Sequence, residues 1–367
     1  MAKRNKAKSF AIHILGVLLD PIVAIIFALI VGGVIMSALE YNPIEAYSAL
    51  FRGALGSMKA IGQTLTAATP LLFTAMAFSI AFRCGVFNLG GEGQLYMGAM
   101  MGAWVGFAVT GLPTVLHIIL ILLAGAAGGM LVSLVPALLK TKRNVHEVIV
   151  YIMMNYIAIN VTTYLVGTDG PLRLGSTLPA SPKIVATSRL QEIIPGSDIN
   201  IGIVIAVLIA AAFYIFLWKT RTGYKIRAVG YNPFAAQCGG INKVKYSIMA
   251  MLIAGGLAGI GGSMEIISVY GRFYSHFSSG YGFEGIAVGM LGQNHPAGIV
   301  LSALLFGALK TGATAMQIEV GTNAELVKII EALVIFFIAG RWSVMLIMQR
   351  MRKKRELKKQ DMAPVGQ

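Results

Sequence analysis

Long apolar runs with few charges are the feature that most constrains how this chain folds. The runs 14–39, 204–217 and 326–339 approach the roughly 20 apolar residues that a helix needs to cross a bilayer. Of the 367 residues, 56% are hydrophobic and 12% are charged, whereas a soluble domain carries about 25% charge. Backbone groups in hydrocarbon must be satisfied within the segment, and these runs do not alternate as barrel strands do. We therefore expect an all-α polytopic membrane protein.

Four clusters of Lys and Arg orient the chain relative to the membrane. They occupy the N-terminal tail, 140–143, 219–245 and 350–359, and the third contains no acid. Because cytoplasmic loops collect positive charge, we place all four clusters, and both termini, in the cytoplasm. The net charge of +15 is explained by this topology, and it does not indicate a nucleic-acid partner. The loop at 167–199 mixes acidic and basic residues and is predicted to be external.

These anchors predict about ten transmembrane segments within one transmembrane domain that covers residues 1–367. The segments are expected near 14–39, 60–82, 88–110, 113–139, 145–166, 200–217, 246–268, 282–292, 297–318 and 324–341. Five segments fall in a first repeat at about 10–166 and five in a second at about 200–341. The external loop separates the repeats, and a basic cytoplasmic tail at 342–367 follows them. The small residues at 253–262 recur at spacings of three and four, which predicts close helix packing.

A short motif, Gly-x-Glu-Gly, occurs at the start of two segments in corresponding positions. It reads Gly90-Gly-Glu-Gly93 before the third segment and Gly282-Phe-Glu-Gly285 before the eighth. Segments that lie five apart enter the membrane from opposite sides, so the pair predicts two inverted repeats of five helices. Glycine-interrupted segments at matched places in two halves indicate a transport site, which favours a carrier of a small polar solute.

The residues of these motifs are the candidates for the substrate pathway. Glu92 and Glu284 are carboxylates inside membrane segments, where an acid usually faces a cavity or a partner. Each either contacts the solute or acts only as a structural acid bonded to backbone amides. Asn88 and Gln94 add neutral donors and acceptors that suit an uncharged polar solute, and Phe283 completes the predicted pathway. Glu265, near the outer end of the seventh segment, is a weaker candidate.

The basic cluster at 219–245 contains a predicted short helix. Asn232 suits an N-cap, Pro233 suits the first helical position, and Gly239 or Gly240 can end the helix. The helix is either a docking element for a soluble partner or an ordinary loop helix. The chain contains no Gly-Lys pair and therefore no phosphate-binding loop of the Walker type. Its two cysteines, Cys84 and Cys238, show no metal-ligand spacing, so we expect neither ATP nor a metal to bind this chain.

Several of these stretches resemble one known family. The string 81–94 resembles the signature of ABC-importer permeases of the simple-sugar and nucleoside branch, within the ribose and branched-chain amino-acid permease family. The stretch 222–241 is similar to the coupling region of that family, and the stretches 280–292 and 42–56 also fit. The resemblance extends from about Pro43 to Gly340.

The resemblance implies the permease subunit of an importer, not an enzyme, in the cell membrane of a bacterium. It implies a second permease chain, often different from the first, ATPase subunits that use ATP, and an extracellular lipoprotein that delivers a nucleoside or sugar-like solute. The ATPase would dock on the coupling helix, which comprises Asn232, Pro233, Phe234, Ala235, Ala236, Gly240 and Ile241. The alternative is a proton-coupled secondary transporter in which Glu92 or Glu284 carries protons. A membrane-embedded enzyme is disfavoured because the expected metal-ligand and nucleophile motifs are absent from the sequence.

Overall fold

The computed structural model describes residues 25–173, 178–323 and 325–337. The basic N-terminal tail, the start of the first predicted segment at 14–24, the end of the tenth at 338–341 and the basic tail at 342–367 lie outside these ranges.

The described chain is helical, as expected, and its extended pairing is limited to two isolated β-bridges, Ala180–Tyr274 and Glu192–Asn200. A π-helical turn, Ile266–Tyr270, continues α10. The helices are α1 Ile25–Ala38, α2 Pro43–Leu55, α3 Met58–Arg83, α4 Gly91–Ala108, α5 Thr114–Arg143, α6 Glu147–Val166, α7 Gly202–Lys219, α8 Arg221–Tyr231, α9 Pro233–Cys238, α10 Lys243–Glu265, α11 Tyr281–Leu291, α12 Pro296–Val320 and α13 at 325–337.

Six of the described helices are long and apolar enough to cross a membrane: α3, α5, α6, α7, α10 with its π turn, and α12. These six match predicted segments, and they establish a multi-pass membrane protein. The segment predicted at 282–292 corresponds to α11, whose 11 residues span only about 16 Å of a hydrocarbon core that is about 30 Å thick. The count of ten segments and the sides on which the termini lie stay predictions.

The chain divides into two compact units. The smaller comprises residues 1–48 and 316–367, and the larger comprises Ala49–Ala315. In the described part of the smaller unit, the Tyr47 hydroxyl donates a hydrogen bond of 2.5 Å to the carbonyl of Leu29. The rings of Phe27 and Phe337 lie 6.0 Å apart between centroids, so α1 packs against α13.

The larger unit is built around α10, which packs against α3, α4 and α5. Glycines permit this packing, as the small-residue run predicts. A Cβ added to Gly98 of α4 would lie 2.2 Å from Cα of Gly259, and one added to Gly129 of α5 would lie 1.9 Å from the carbonyl oxygen of Gly255. Backbones can approach this closely only where neither helix carries a side chain.

The larger unit has two distinct ends, which are set by the direction of α10. This helix begins at Lys243, beside the basic loop. With its π turn it has 28 residues and is about 42 Å long. At its far end the carbonyl of Ile267 accepts a hydrogen bond of 2.9 Å from Leu190 of the loop at 178–200. The basic loop and the predicted external loop therefore lie at opposite ends of the unit.

Candidate functional site

The two Gly-x-Glu-Gly motifs are in direct contact, although 190 residues separate their bonded residues. A carboxylate oxygen of Glu92 accepts a hydrogen bond of 2.7 Å from the backbone N–H of Gly282. A Cβ added to Gly282 would lie 2.1 Å from the backbone nitrogen of Glu92, and one added to Gly91 would lie 2.9 Å from the carbonyl oxygen of Gly282. We call this contact the central junction. Only glycine at both positions lets the backbones meet.

The helices that begin at the central junction run away from each other. Near its end α4 reaches the loop at 178–200, because the carbonyl of Gly106 accepts a hydrogen bond of 3.0 Å from Val185. The loop that follows α11 reaches the opposite end of the unit, where the carbonyl of Asn294 accepts a hydrogen bond of 3.2 Å from Arg83. The N-termini of α4 and α11 thus abut inside the bundle, and each contributes a positive dipole end to the same place.

Acidic side chains occupy the first turn of both helices. Glu92 is 5% exposed, and its bond to Gly282 leaves it inside the junction. Glu284 is partly buried and pairs with Lys310 of α12 at 2.8 Å. The ammonium group of Lys310 also lies 3.9 Å from the centroid of the Tyr281 ring. The junction is therefore a compact group of charges in which the acids face the positive helix ends and Lys310 balances Glu284.

The predicted polar residues Asn88 and Gln94 are buried and bond to each other. Their side-chain amides form two hydrogen bonds of 3.1 Å, and Gln94 donates a further bond of 2.8 Å to Ser133. The backbone N–H of Gly90 donates to Asn88 at 2.9 Å. These contacts fix the loop that leads into α4. Phe283, on the first turn of α11, is instead 49% exposed, so its side chain is not buried in the junction as those of Asn88, Glu92 and Gln94 are.

Asn155 of α6 and Lys310 belong to the junction, but the sequence indicates Lys310 only as a weaker polar candidate in a membrane span and does not identify Asn155. The side-chain oxygen of Asn155 accepts a hydrogen bond of 2.8 Å from the N–H of Gly93. Its nitrogen donates one of 2.8 Å to the carbonyl of Leu89. Asn155 lies on another helix and accepts a hydrogen bond from an N–H group in the first turn of α4. It thus has the role that an N-cap residue usually has within the helix itself. Both residues lie in apolar segments without a motif, and their only sequence signal is that they are polar there.

The second candidate site is α9, and the local predictions for it are confirmed. The side-chain oxygen of Asn232 accepts hydrogen bonds of 3.0 Å from the N–H groups of Phe234 and Ala235. Pro233 is in the first turn, and the helix ends at Cys238. Gly240 has φ +77°, and the N–H of Ile241 donates to the carbonyl of Ala236 at 2.9 Å. Both ends of this short helix are thus capped.

The surface around α9 is aromatic and basic. Phe234 is 72% exposed, and the ammonium group of Lys243 lies 4.8 Å from the centroid of its ring. Beside it is a depression of about 540 Å³ between α8 and α9, whose lining includes Lys225, Arg227 and Tyr231. An exposed aromatic ring with cations around it suits a partner surface that is apolar and acidic.

A chain of contacts connects the α8–α9 region to the far end of α11. The Trp218 ring lies between two guanidinium groups, with Arg83 at 5.5 Å and Arg227 of α8 at 5.7 Å from its centroid. Arg83 donates to the carbonyls of Gln293 and Asn294 at 3.0 and 3.2 Å. A displacement of α8 would therefore be transmitted through Trp218 and Arg83 to the end of α11. The other end of α11 lies at the central junction.

Helix N-termini that meet inside a bundle of long apolar helices are typical of membrane transport proteins. The chain belongs to the family described as branched-chain amino acid transport system / permease component, whose profile matches residues 60–339. It is thus an integral membrane permease subunit and not an enzyme.

Three curated relatives are similar over most of the chain. The guanosine ABC transporter permease protein NupP of Bacillus subtilis is 39% identical over 92% of this chain and 97% of its own length. The nucleoside ABC transporter permease protein NupB of Lactococcus lactis is 36% identical over 89% and 92%. The glucose ABC transporter permease protein TsgB13 of Haloferax volcanii is 33% identical over 87% and 86%.

Proposed function

We propose that this chain is the permease subunit of an ABC importer that takes up nucleosides and is powered by separate ATPase subunits. The observation that carries the proposal is the near full-length similarity to NupP, a permease named for guanosine. The similarity to a glucose permease keeps a sugar-like solute in the same proposal, since ribose and glucose share vicinal hydroxyls. A bacterial cell membrane is the proposed location.

The proposed topology has ten membrane segments in two inverted repeats, at about 10–166 and 200–341, with both termini in the cytoplasm. The meeting of α4 and α11, which begin at matching motifs and run in opposite directions, supports this proposal. So does the position of the basic loop at 219–245, at the opposite end of the larger unit from the loop at 178–200.

The proposed partners are ATPase subunits, a second permease chain and an extracellular lipoprotein that delivers the solute. The ATPase docks on α9 through Asn232, Pro233, Phe234, Ala235, Ala236, Gly240 and Ile241. Support comes from the two caps and from the exposed ring of Phe234. ATP is used by the partners, and this chain binds no cofactor.

The proposed mechanism is alternating access driven by the ATPase. Closure of the ATPase subunits moves α9 and α8, and the contacts of Trp218 and Arg83 pass the movement to the end of α11. The start of α11 then shifts against α4, and the pathway near Glu92 and Glu284 opens toward the delivering protein. These two acids either contact the solute or hold the junction together, and Asn88, Gln94 and Phe283 belong to the same proposed pathway.

Uptake in a strain that lacks this gene tests the proposal. We expect loss of radiolabelled nucleoside uptake and its recovery with the wild-type gene. Unchanged uptake of every nucleoside and of glucose would contradict the proposed substrates.

A second experiment tests the mechanism: the purified chain alone is reconstituted into liposomes under a pH gradient. Transport there without an ATPase would support the proton-coupled alternative, in which Glu92 or Glu284 carries the proton.

A further inference from the structure

A polar cavity of about 620 Å³ lies in the larger unit, near the loop at 178–200. Ligand sites for small molecules commonly have volumes of about 300–1,000 Å³. The cavity is formed by the first half of α3, this loop, the end of α10 with its π turn, and the start of α11. Its lining includes Gln63, Thr66, Asn200, Glu265, Ser268, Tyr270 and Tyr281.

The carboxylate of Glu265 is the most unusual group in this cavity. The residue is 3% exposed and lies within the apolar span Lys243–Tyr270. Within the described ranges its side chain lines the cavity without a hydrogen bond or ion pair, and Lys310 is the cation that acts on it electrostatically. A buried acid in a membrane segment is costly, and such acids usually serve a substrate or ion pathway.

The backbone around Glu265 also departs from a regular helix. The π turn Ile266–Tyr270 begins at the next residue, and Gly271 closes it with φ +64°. Turns of this type are rare and frequently occur at functional sites. This turn places Ser268 and Tyr270 in the cavity wall beside Glu265.

Another part of the cavity wall is joined by hydrogen bonds between α3 and the loop. Gln63 donates to the carboxylate of Asp198 at 3.1 Å, and the Thr66 hydroxyl donates to the carbonyl of Asp198 at 3.0 Å. These bonds join α3 to the loop at 178–200. Gln63 and Thr66 are thus engaged with the loop, whereas Glu265 is not engaged in a hydrogen bond within the described residues.

The wall of the cavity borders the central junction. Tyr281 lines the cavity, and the next residue, Gly282, donates the hydrogen bond to Glu92. A solute in the cavity would therefore stand next to the place where α4 and α11 meet.

We propose that Glu265 binds the solute in this cavity by accepting hydrogen bonds from two vicinal hydroxyls, the cis-diol of the ribose ring of a nucleoside. In its ionised form a carboxylate has two oxygens that only accept hydrogen bonds, so this form matches two adjacent O–H donors. The ring of Tyr270 supplies an apolar face for the base. This assignment rests on the proposed function and goes beyond the pathway residues named from the sequence motifs.

Transport by the assembled importer tests the assignment. Wild type, E265Q and the surface control E325Q, whose side chain is 65% exposed, are compared with a ribonucleoside, its 2′,3′-dideoxy analogue and glucose. The wild type should prefer the ribonucleoside to the dideoxy analogue. In E265Q the KM for the ribonucleoside should rise by about 10- to 100-fold, the factor for losing hydrogen bonds to a charged group. The KM for the dideoxy analogue should be unchanged, and E325Q should match the wild type for every solute.

The two proposals fail in different ways. If the wild type carries no nucleoside, the proposed substrate and the diol assignment both fall, and glucose uptake shows whether a sugar is carried instead. If the wild type carries nucleosides and E265Q keeps its ratio of ribonucleoside to dideoxynucleoside KM, only the assignment of Glu265 is overturned.

A labelling experiment covers the case in which E265Q does not assemble. Ser268→Cys is introduced after removal of the two native thiols by C84A and C238A, and its reaction with a maleimide is measured in the assembled importer. The ribonucleoside should slow labelling several-fold at saturating concentration, and the dideoxy analogue should not. Equal protection by both solutes, or protection by neither, would overturn the diol assignment.

Discussion

The central junction and the α9 surface are both predicted from short motifs, yet they differ in how their polar groups are used. At the junction, Glu92, Asn88 and Gln94 bond to groups of the same chain and are almost fully buried. At α9 the caps are satisfied, but Phe234 and the cations beside it face outward. The comparison teaches that the polar groups of the junction hold two helices together, whereas α9 leaves an aromatic and basic surface exposed, which the proposed docking of a partner requires. Substitutions at the junction should therefore cost folding stability, and substitutions at α9 should cost association.

The largest effect on stability is expected from Gly282→Ala. The new Cβ would lie 2.1 Å from the backbone nitrogen of Glu92, and neither backbone can yield without separating α4 from α11. We expect a loss of about 3 kcal/mol, at the upper end for overpacking. The measurement is the yield and the thermal midpoint of the detergent-solubilised protein.

Gly239→Ala is the matched control for this change. The nearest atom to its added Cβ lies at 3.5 Å, an ordinary contact, and φ is −78°. This variant should be as stable as the wild type. Equal stability of both glycine variants would show that the junction is not tightly packed.

A smaller loss is expected from Lys310→Met, which leaves Glu284 without its ion-pair partner. Removing one partner of a fully buried pair costs about 3–5 kcal/mol. Each side chain here is roughly a quarter exposed, so about 2 kcal/mol is expected. The double variant K310M/E284Q should recover most of the loss in thermal midpoint. If the double variant is no more stable than K310M, the pair is not the reason for the effect.

Asn232→Ala should cost about 1 kcal/mol, the usual value for an N-cap, because two N–H groups of α9 lose their acceptor. The loss of stability should be confined to α9, since this six-residue helix buries only Ala236. Hydrogen exchange of the amides of Phe234 and Ala235 measures it, and Asn232→Asp serves as the control that keeps the cap. Faster exchange across α4 or α11 would contradict the separation of the two regions.

Phe234→Asp should leave the stability nearly unchanged, because the side chain is exposed. It should still abolish co-purification of the ATPase, since it removes the aromatic contact and places an acid in a basic surface. Ile44→Asp, at another exposed apolar residue, is the control and should retain the ATPase. An ATPase that remains bound to Phe234→Asp would remove α9 from the docking site.

The sequence allowed the helical architecture, the paired motifs and the caps of α9 to be predicted, because each depends on residues close together along the chain. The apolar runs predict the long helices, and Asn232 followed by Pro233 predicts the start of α9. The short length of α11 was harder to predict from the sequence, since its glycines are compatible with either a half-helix or a longer segment. The partners of the junction could not be predicted. Asn155 and Lys310 reach it from distant helices, and an isolated polar residue in an apolar run does not indicate which carboxylate or N–H group it will meet.

The opposed directions of α4 and α11 have a mechanical consequence. In the proposed mechanism the contact of Gly91 with Gly282 serves as a pivot, and α11 extends about 16 Å beyond it. At the far end of α11, Arg83 donates hydrogen bonds to the carbonyls of Gln293 and Asn294. A shift of about 3 Å at this end tilts a helix of this length by about 10°. Such a tilt rotates Glu284 relative to Glu92 without breaking any hydrogen bond inside either helix. A small displacement at the far end of α11 can thus change the orientation of Glu284 relative to Glu92 inside the bundle.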